Sequence, residues 1–170
     1  PAHLDDAMVD ETEALLRAHR DDVVAIGEVG IDHWLAKEPD ERAHQHRLFS
    51  HMVGLSKELD LPLSVHSRSA GHHAIGLLEE LGATRVCLHA FDGKAKYARA
   101  AAERGFYLSV PPSIARSAQK QKLVRAVPLS QLLLETDAPV LGPERDERNE
   151  PANLQVSVRW VAELKGETRD

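Results

Sequence analysis

The stretch LLLETDAP, Leu132–Pro139, poses the problem that decides the fold class. Three consecutive leucines belong in a packed interior, yet they run straight into Glu135 and Asp137. An unpaired carboxylate taken out of water is costly, or it takes up a proton and loses its charge. The conflict disappears if the run is a strand that delivers its acids to a rim, where a cation holds them ionised. Parallel α/β folds are built this way, with functional side chains at the carboxyl ends of the strands.

Other segments repeat the pattern. Short apolar, β-branched runs occur at 23–30 (VVAIGEVG), 61–67 (LPLSVHS), 85–91 (RVCLHAF), 106–110 (FYLSV) and 131–136 (QLLLET). Each predicts a strand. Polar stretches with apolar residues at helical spacing lie around them, at about 5–19, 41–59, 70–82, 94–104, 115–126 and 151–165. Gly82 and Gly105 stand where helices would stop. Alternation of strand and helix, with strands that read as continuous apolar runs, predicts an α/β fold with a parallel sheet covered on its faces. The irregular, charged and proline-rich stretch 138–153 has the length of a functional loop.

At 170 residues with 42% hydrophobic content, the chain is expected to form a single domain over 1–170. With 27 acidic against 21 basic residues the formal charge is −6, which excludes nucleic-acid binding by a generally basic surface. An anionic substrate would need a local cation, such as a metal. Cys87 is the single cysteine, so no intrachain disulfide and no Cys-rich zinc site is available. No signal peptide is recognisable, and no apolar run approaches the ~20 residues of a membrane span. A cytoplasmic protein without a membrane partner is expected.

Four of the five predicted strands end in a potential metal ligand: Glu28, His66, His89 and Asp137. Imidazole and carboxylate together suit Zn²⁺, Mn²⁺ or Fe, and mixed carboxylate sites also accept Mg²⁺. Each residue also has a plainer explanation. Either histidine alone could be a core residue bonded to backbone, Glu28 a structural ion pair, and Asp137 an Asx turn ahead of Pro139. Their shared position at strand ends favours ligation. Glu135 shares a strand face with Asp137 by alternation, and is expected to support a ligand or form a buried ion pair. His33, with Asp32 and Trp34, lies just beyond a strand and borders the expected pocket. Arg68 follows His66 by two and suits a phosphate oxygen, or an ion pair. Asn149, next to Arg148, precedes a helix start that favours anions. His44, His46, His51, His72 and His73 are expected on solvated helix faces. Trp34 or Phe91 could stack on a base, or pack in the core.

The segments VAIGEVGID, LPLSVHSR, CLHAFDG, FYLSVPPS, LLLETDAPVLGP and RNEPANL stand in the order of the signatures of the TatD family of metal-dependent deoxyribonucleases, which the chain resembles from about residue 23 to 160. The resemblance implies a (β/α)8 TIM barrel of the metal-dependent hydrolase type. It also implies one or two divalent metal ions (Zn, Mg or Mn) and hydrolysis of phosphodiester bonds in DNA by metal-activated water, often from an end. Carried over by position, Glu28, His66, His89 and Asp137 match metal ligands, with Glu28 expected to bridge two ions; Arg68 and Asn149 match motif positions near substrate. The expected partner is single-stranded DNA or strand ends. In this scheme Asp137 orients or deprotonates water and Arg68 stabilises the developing charge.

The chain departs from the family pattern at Ala90, where Cys is usual, and at His33, where Tyr or Phe is usual. The family also opens with a strand carrying a His-x-His pair, and nothing before Glu28 supplies one. PAHLDD at the start is expected to be the loop after the third barrel strand. The expectation is therefore a partial barrel of about five parallel strands, the fourth to the eighth, with weak activity in the isolated segment. Two alternatives stand beside the nuclease: another hydrolase of the amidohydrolase or phosphotriesterase type, because fold does not fix substrate, and a non-catalytic remnant.

Overall fold

A computed structural model describes residues 6–168, so the opening PAHLD segment, with His3, lies outside the described residues. The chain divides into two compact units, the first running to Cys87 and the second beginning at Leu88. Helices and strands alternate throughout, as expected of an α/β chain.

The first unit holds α1 (Asp6–Ala18), β1 (Ile26–Gly30), α2 (Pro39–Glu58), β2 (Leu63–His66) and α3 (Gly71–Glu80). The α2 helix starts where the local chemistry requires. Pro39 occupies its first turn, and the Glu41 carboxylate turns back to accept hydrogen bonds from the backbone N–H groups of Lys37 and Glu38. Its inner face buries Phe49, Val53 and Leu55, while Ile26, Leu63 and Val65 of the strands are buried as well. Strands β1 and β2 are parallel, with Ile26 opposite Leu63 and Val29 opposite Val65. Three steps on β1 match two on β2, so a bulge falls at Gly27–Glu28. Bulges re-aim side chains, and this one sits under a candidate ligand.

The second unit holds α4 (Ala95–Glu103), β4 (Tyr107–Val110), α5 (Ala118–Ala126), β5 (Leu132–Leu134) and α6 (Leu154–Lys165); β3 (Val86–Leu88) contains the boundary. Ser117 caps α5 by accepting from the Lys120 N–H, and Gly166, in the left-handed region, ends α6. Gly82 and Gly105 have positive φ and follow α3 and α4, as the sequence predicts. Strands β4 and β5 are parallel, with Leu108 opposite Leu132 and Val110 opposite Leu134. Phe106, Leu108, Val110, Ile114 and Val124 form the buried centre. No helix among the described residues is long and apolar enough to cross a membrane.

Two expectations change. Glu28 lies inside β1 rather than at its end, and β5 stops at Leu134, so strict alternation no longer relates Glu135 to Asp137. The β5 leucines are also less covered than a central strand would be, because β5 is an edge strand and Leu133 and Leu134 stay partly exposed.

Gly30 shows how tightly β1 meets the end of β2. Its φ is +144°, and a Cβ there would stand 1.9 Å from the His66 carbonyl oxygen. Gly30→Ala must therefore shift the backbone that carries His66. We expect a loss on the order of 2 kcal/mol or more in urea unfolding of the variant against wild type.

Candidate functional site

The first unit gathers its candidate residues around Asp32. This carboxylate is 3% exposed. Its Oδ2 accepts from His66 Nε2 at 3.0 Å, and its Oδ1 accepts from the backbone N–H groups of Trp34 at 2.9 Å and Leu35 at 3.0 Å. Its own N–H donates to Oε1 of the buried Gln45 at 2.9 Å. With Nε2 of His66 committed as a donor, the tautomer leaves Nδ1 as a bare acceptor, and Nδ1 faces Glu28 Oε2 at 3.4 Å.

The second unit repeats this arrangement. His89 Nδ1 is 2.6 Å from Glu135 Oε2, which also accepts from the Ser109 hydroxyl at 2.6 Å. The other ring nitrogen, Nε2, faces Asp137 Oδ1 at 3.4 Å. In each unit a shielded carboxylate thus holds one side of an imidazole, while the other side meets a second, more exposed carboxylate. Glu135 forms a shielded pair with His89, one of the two arrangements expected of it. One of its oxygens, Oε1, is buried without a hydrogen-bond partner among the described residues.

Two lone pairs facing each other repel unless a proton or a cation lies between them. At His66 the Glu28 carboxylate first, then Asp32, raise the imidazole pKa against the opposing pull of desolvation. A divalent cation suits the same spacing, since 3.4 Å is close to the edge of a tetrahedron with metal–ligand bonds of roughly 2.0–2.2 Å. A ligating histidine held from behind by a carboxylate is also a common feature of metal sites. Donor type and spacing therefore fit a metal pair by pair. Among the described residues, no group of three or more His, Cys, Asp or Glu side chains is arranged to hold one.

Five non-glycine residues among those described have positive φ; Asp60 and Leu141 are two, and the other three are or adjoin candidate residues. Asp137, Ala90 immediately after His89, and Ser69 immediately after Arg68 have φ of 58°, 42° and 56°. Such values are uncommon for residues other than glycine and gather where surroundings dictate them. Around Ala90, the N–H donates to the Ser109 hydroxyl, and the carbonyls of Ala90 and Phe91 accept from the buried Lys120 ammonium at 2.9 and 3.3 Å. Desolvation lowers the Lys120 pKa, partly opposed by Glu135, Asp92 and Asp137.

The remaining candidates divide. Arg68 is exposed, has no ion pair among the described residues, and lies over the Trp34 ring, its Cζ 3.9 Å from the centroid. Asn149 is 3% exposed, and its amide nitrogen donates to the carbonyls of Thr136 and Val140, both at 2.6 Å. Its N–H donates to the Pro139 carbonyl at 3.0 Å, so it staples the turn that carries Asp137. Asp137 makes no Asx turn there; its carbonyl accepts from Val140. Phe91 is fully buried and packs in the core, whereas Trp34 is 50% exposed.

Of the helix histidines, His51, His72 and His73 are exposed, as expected, while His44 and His46 are half-buried; several also meet other side chains. His46 Nε2 lies 3.4 Å from His33 Nε2, the His33 and His73 ring centroids are 5.0 Å apart, and His51 meets Glu13 at 2.6 Å. Asp32, Gln45, Ser109 and Lys120 carry much of the local geometry without standing out in the sequence; of these, only Asp32 has a signal, its place in VGIDHW right after a strand.

These observations meet the comparisons with known proteins. The model of the TatD related DNase family matches residues 1–170. The chain belongs to that family. Deoxyribonuclease TATDN3 of Homo sapiens is 46% identical to this TatD-family chain over 154 residues, covering 89% of the chain and 56% of the human protein. The uncharacterized metal-dependent hydrolase YabD of Bacillus subtilis is 37% identical over 88% of the chain and 60% of its own length. Among solved structures, the TatD homolog YJJV of Escherichia coli superposes with a TM-score of 0.84 at 27% identity, over 95% of the chain and 63% of YJJV. A TatD family hydrolase from Entamoeba histolytica, at 22% identity and a TM-score of 0.80 over 96% of the chain and 64% of its own, shares the fold. The TatD-family chain spans about half the length of the curated relatives it matches.

His33 supplies a pH test. Its imidazole is shielded, and desolvation first, then Arg42 and the neighbouring histidines, push its pKa down to about 4. The native state thus binds a proton less readily than the unfolded chain, whose histidines titrate near about 6.5. Its contribution to stability is full above that value and is lost as pH falls towards 4. Thermal unfolding between pH 7 and 4 is expected to show a shallower decline in His33→Phe than in wild type.

Proposed function

We propose that the protein is a metal-dependent hydrolase that cleaves phosphodiester bonds in DNA, working from single-stranded ends. The observation that carries this reading is the repeated arrangement of a shielded carboxylate, an imidazole and a second carboxylate, Asp32–His66–Glu28 and Glu135–His89–Asp137, in a TatD-family chain. The names of its relatives, a deoxyribonuclease and a metal-dependent hydrolase, point the same way.

Glu28, His66, His89 and Asp137 would hold divalent metal, Zn, Mg or Mn. When bound, the metal neutralises phosphate oxygens and lowers the pKa of water. The chain's own residues do the rest. Asp32 and Glu135 fix ring orientation and tautomer, so each histidine presents a lone pair without a search through rotamers. Asp137, in a left-handed backbone conformation within a turn stapled by Asn149, orients the attacking water and accepts its proton. Arg68, with its guanidinium uncommitted to any carboxylate among the described residues, supplies positive charge to the phosphate in the transition state. An overall charge of −6 disfavours tracking along a duplex and favours a substrate held at one end.

The test is a substrate panel of single-stranded DNA, duplex DNA, nucleotides, amides and lactones, with and without added divalent ions, for wild type and Asp137→Asn. We expect ion-dependent release of nucleotides from single-stranded ends, reduced at least about 100-fold in the variant, with an unchanged circular dichroism spectrum. Near-normal turnover by Asp137→Asn removes that residue from the mechanism. Hydrolysis of amides or lactones in place of DNA moves the assignment to another hydrolase class.

A further inference from the structure

We propose that Trp34, Arg68 and Lys37 form a stacking subsite for an unpaired nucleobase, held in register with His66 by Asp32. The inference rests on the nuclease reading above and gives it a substrate contact.

Half of the Trp34 surface faces solvent, a high exposure for so large an apolar side chain. Arg68 lies over the ring with its Cζ 3.9 Å from the centroid, and the Lys37 ammonium stands 5.7 Å from it. An accessible aromatic ring with cations beside it is the combination that binds single strands: a base stacks on the π-face, and the cations meet the flanking phosphates. Arg68 suits both tasks, because a guanidinium can lie flat on an indole while its edge N–H groups still donate.

The backbone builds this pair deliberately into the site. The Trp34 N–H is fixed to Asp32 Oδ1 at 2.9 Å, and the neighbouring His33 N–H donates to the Arg68 carbonyl at 3.0 Å. The left-handed conformation of Ser69 follows directly. The second oxygen of Asp32 holds His66. One carboxylate therefore sets the spacing between the exposed indole and an imidazole proposed to hold metal. A base inside a duplex is already stacked on both faces, so the subsite selects an end or an unpaired base.

The experiment uses the full-length protein in EDTA, in a Trp160→Phe background so that Trp34 is the sole tryptophan of this segment, titrated with a short oligodeoxythymidylate. Quenching of the Trp34 emission is expected. In anisotropy with a labelled oligonucleotide, Trp34→Ala is expected to lose roughly 5- to 150-fold in affinity, and Trp34→Phe to keep most of it. An abasic oligonucleotide of equal length is expected to bind wild type and Trp34→Ala alike. Unchanged affinity of Trp34→Ala for the base-bearing strand overturns the subsite, and so does an equal loss on the abasic strand. The two readings fail separately. Absence of phosphodiester hydrolysis by the metal-loaded protein, with base-dependent quenching intact, defeats the nuclease and supports the subsite; hydrolysis with unchanged Trp34→Ala affinity defeats the subsite alone.

Discussion

A carboxylate withdrawn from water must find donors, and in this protein that requirement organises everything near the proposed chemistry. Asp32 finds two backbone N–H groups and an imidazole; Glu135 finds a hydroxyl and an imidazole. Satisfying the buried acid immobilises the histidine, and an immobilised histidine has one nitrogen left to face outward. The outer carboxylates, Glu28 and Asp137, then meet a lone pair whose position is already settled. Preorganisation of this kind costs stability locally, since the ring and its outer carboxylate repel unless something positive joins them.

The supports reach further than the acids. Gln45 lies on the long α2 helix and holds the backbone of Asp32, while Ser109 on β4 links Glu135 to the residue after His89. Asn149 does comparable work for the turn at Asp137, using its whole amide on carbonyls and N–H groups of the same loop. Its position in the RNEP segment suggested a place at the substrate; its burial and bonds describe a structural staple. Irregular backbone near a functional residue is held by side chains when no regular ladder can hold it.

Much of this was legible in the sequence, for physical reasons. Apolar β-branched runs located all five strands of the described residues. Glu135 could be assigned a supporting task because a carboxylate so close to a strand interior needs a partner. What could not be read were pairings between distant segments. Nothing local says that His46 on a helix approaches His33 in a turn, or that Arg68 lies over Trp34; a histidine at helical spacing looks the same whether it meets water or another ring. The bulge at Glu28 was hidden for a related reason, since register belongs to a pair of strands and not to either one.

Lys120 leads to a different kind of consequence. Its ammonium is enclosed and its two carbonyl partners belong to the segment that follows His89. An amine in that position is kept from acylating reagents as long as the segment stays closed over it, and the desolvation that lowers its pKa ends when it is released. The protein thus carries an internal chemical reporter: the labelling rate of one lysine records how often the His89 segment opens, independently of any substrate.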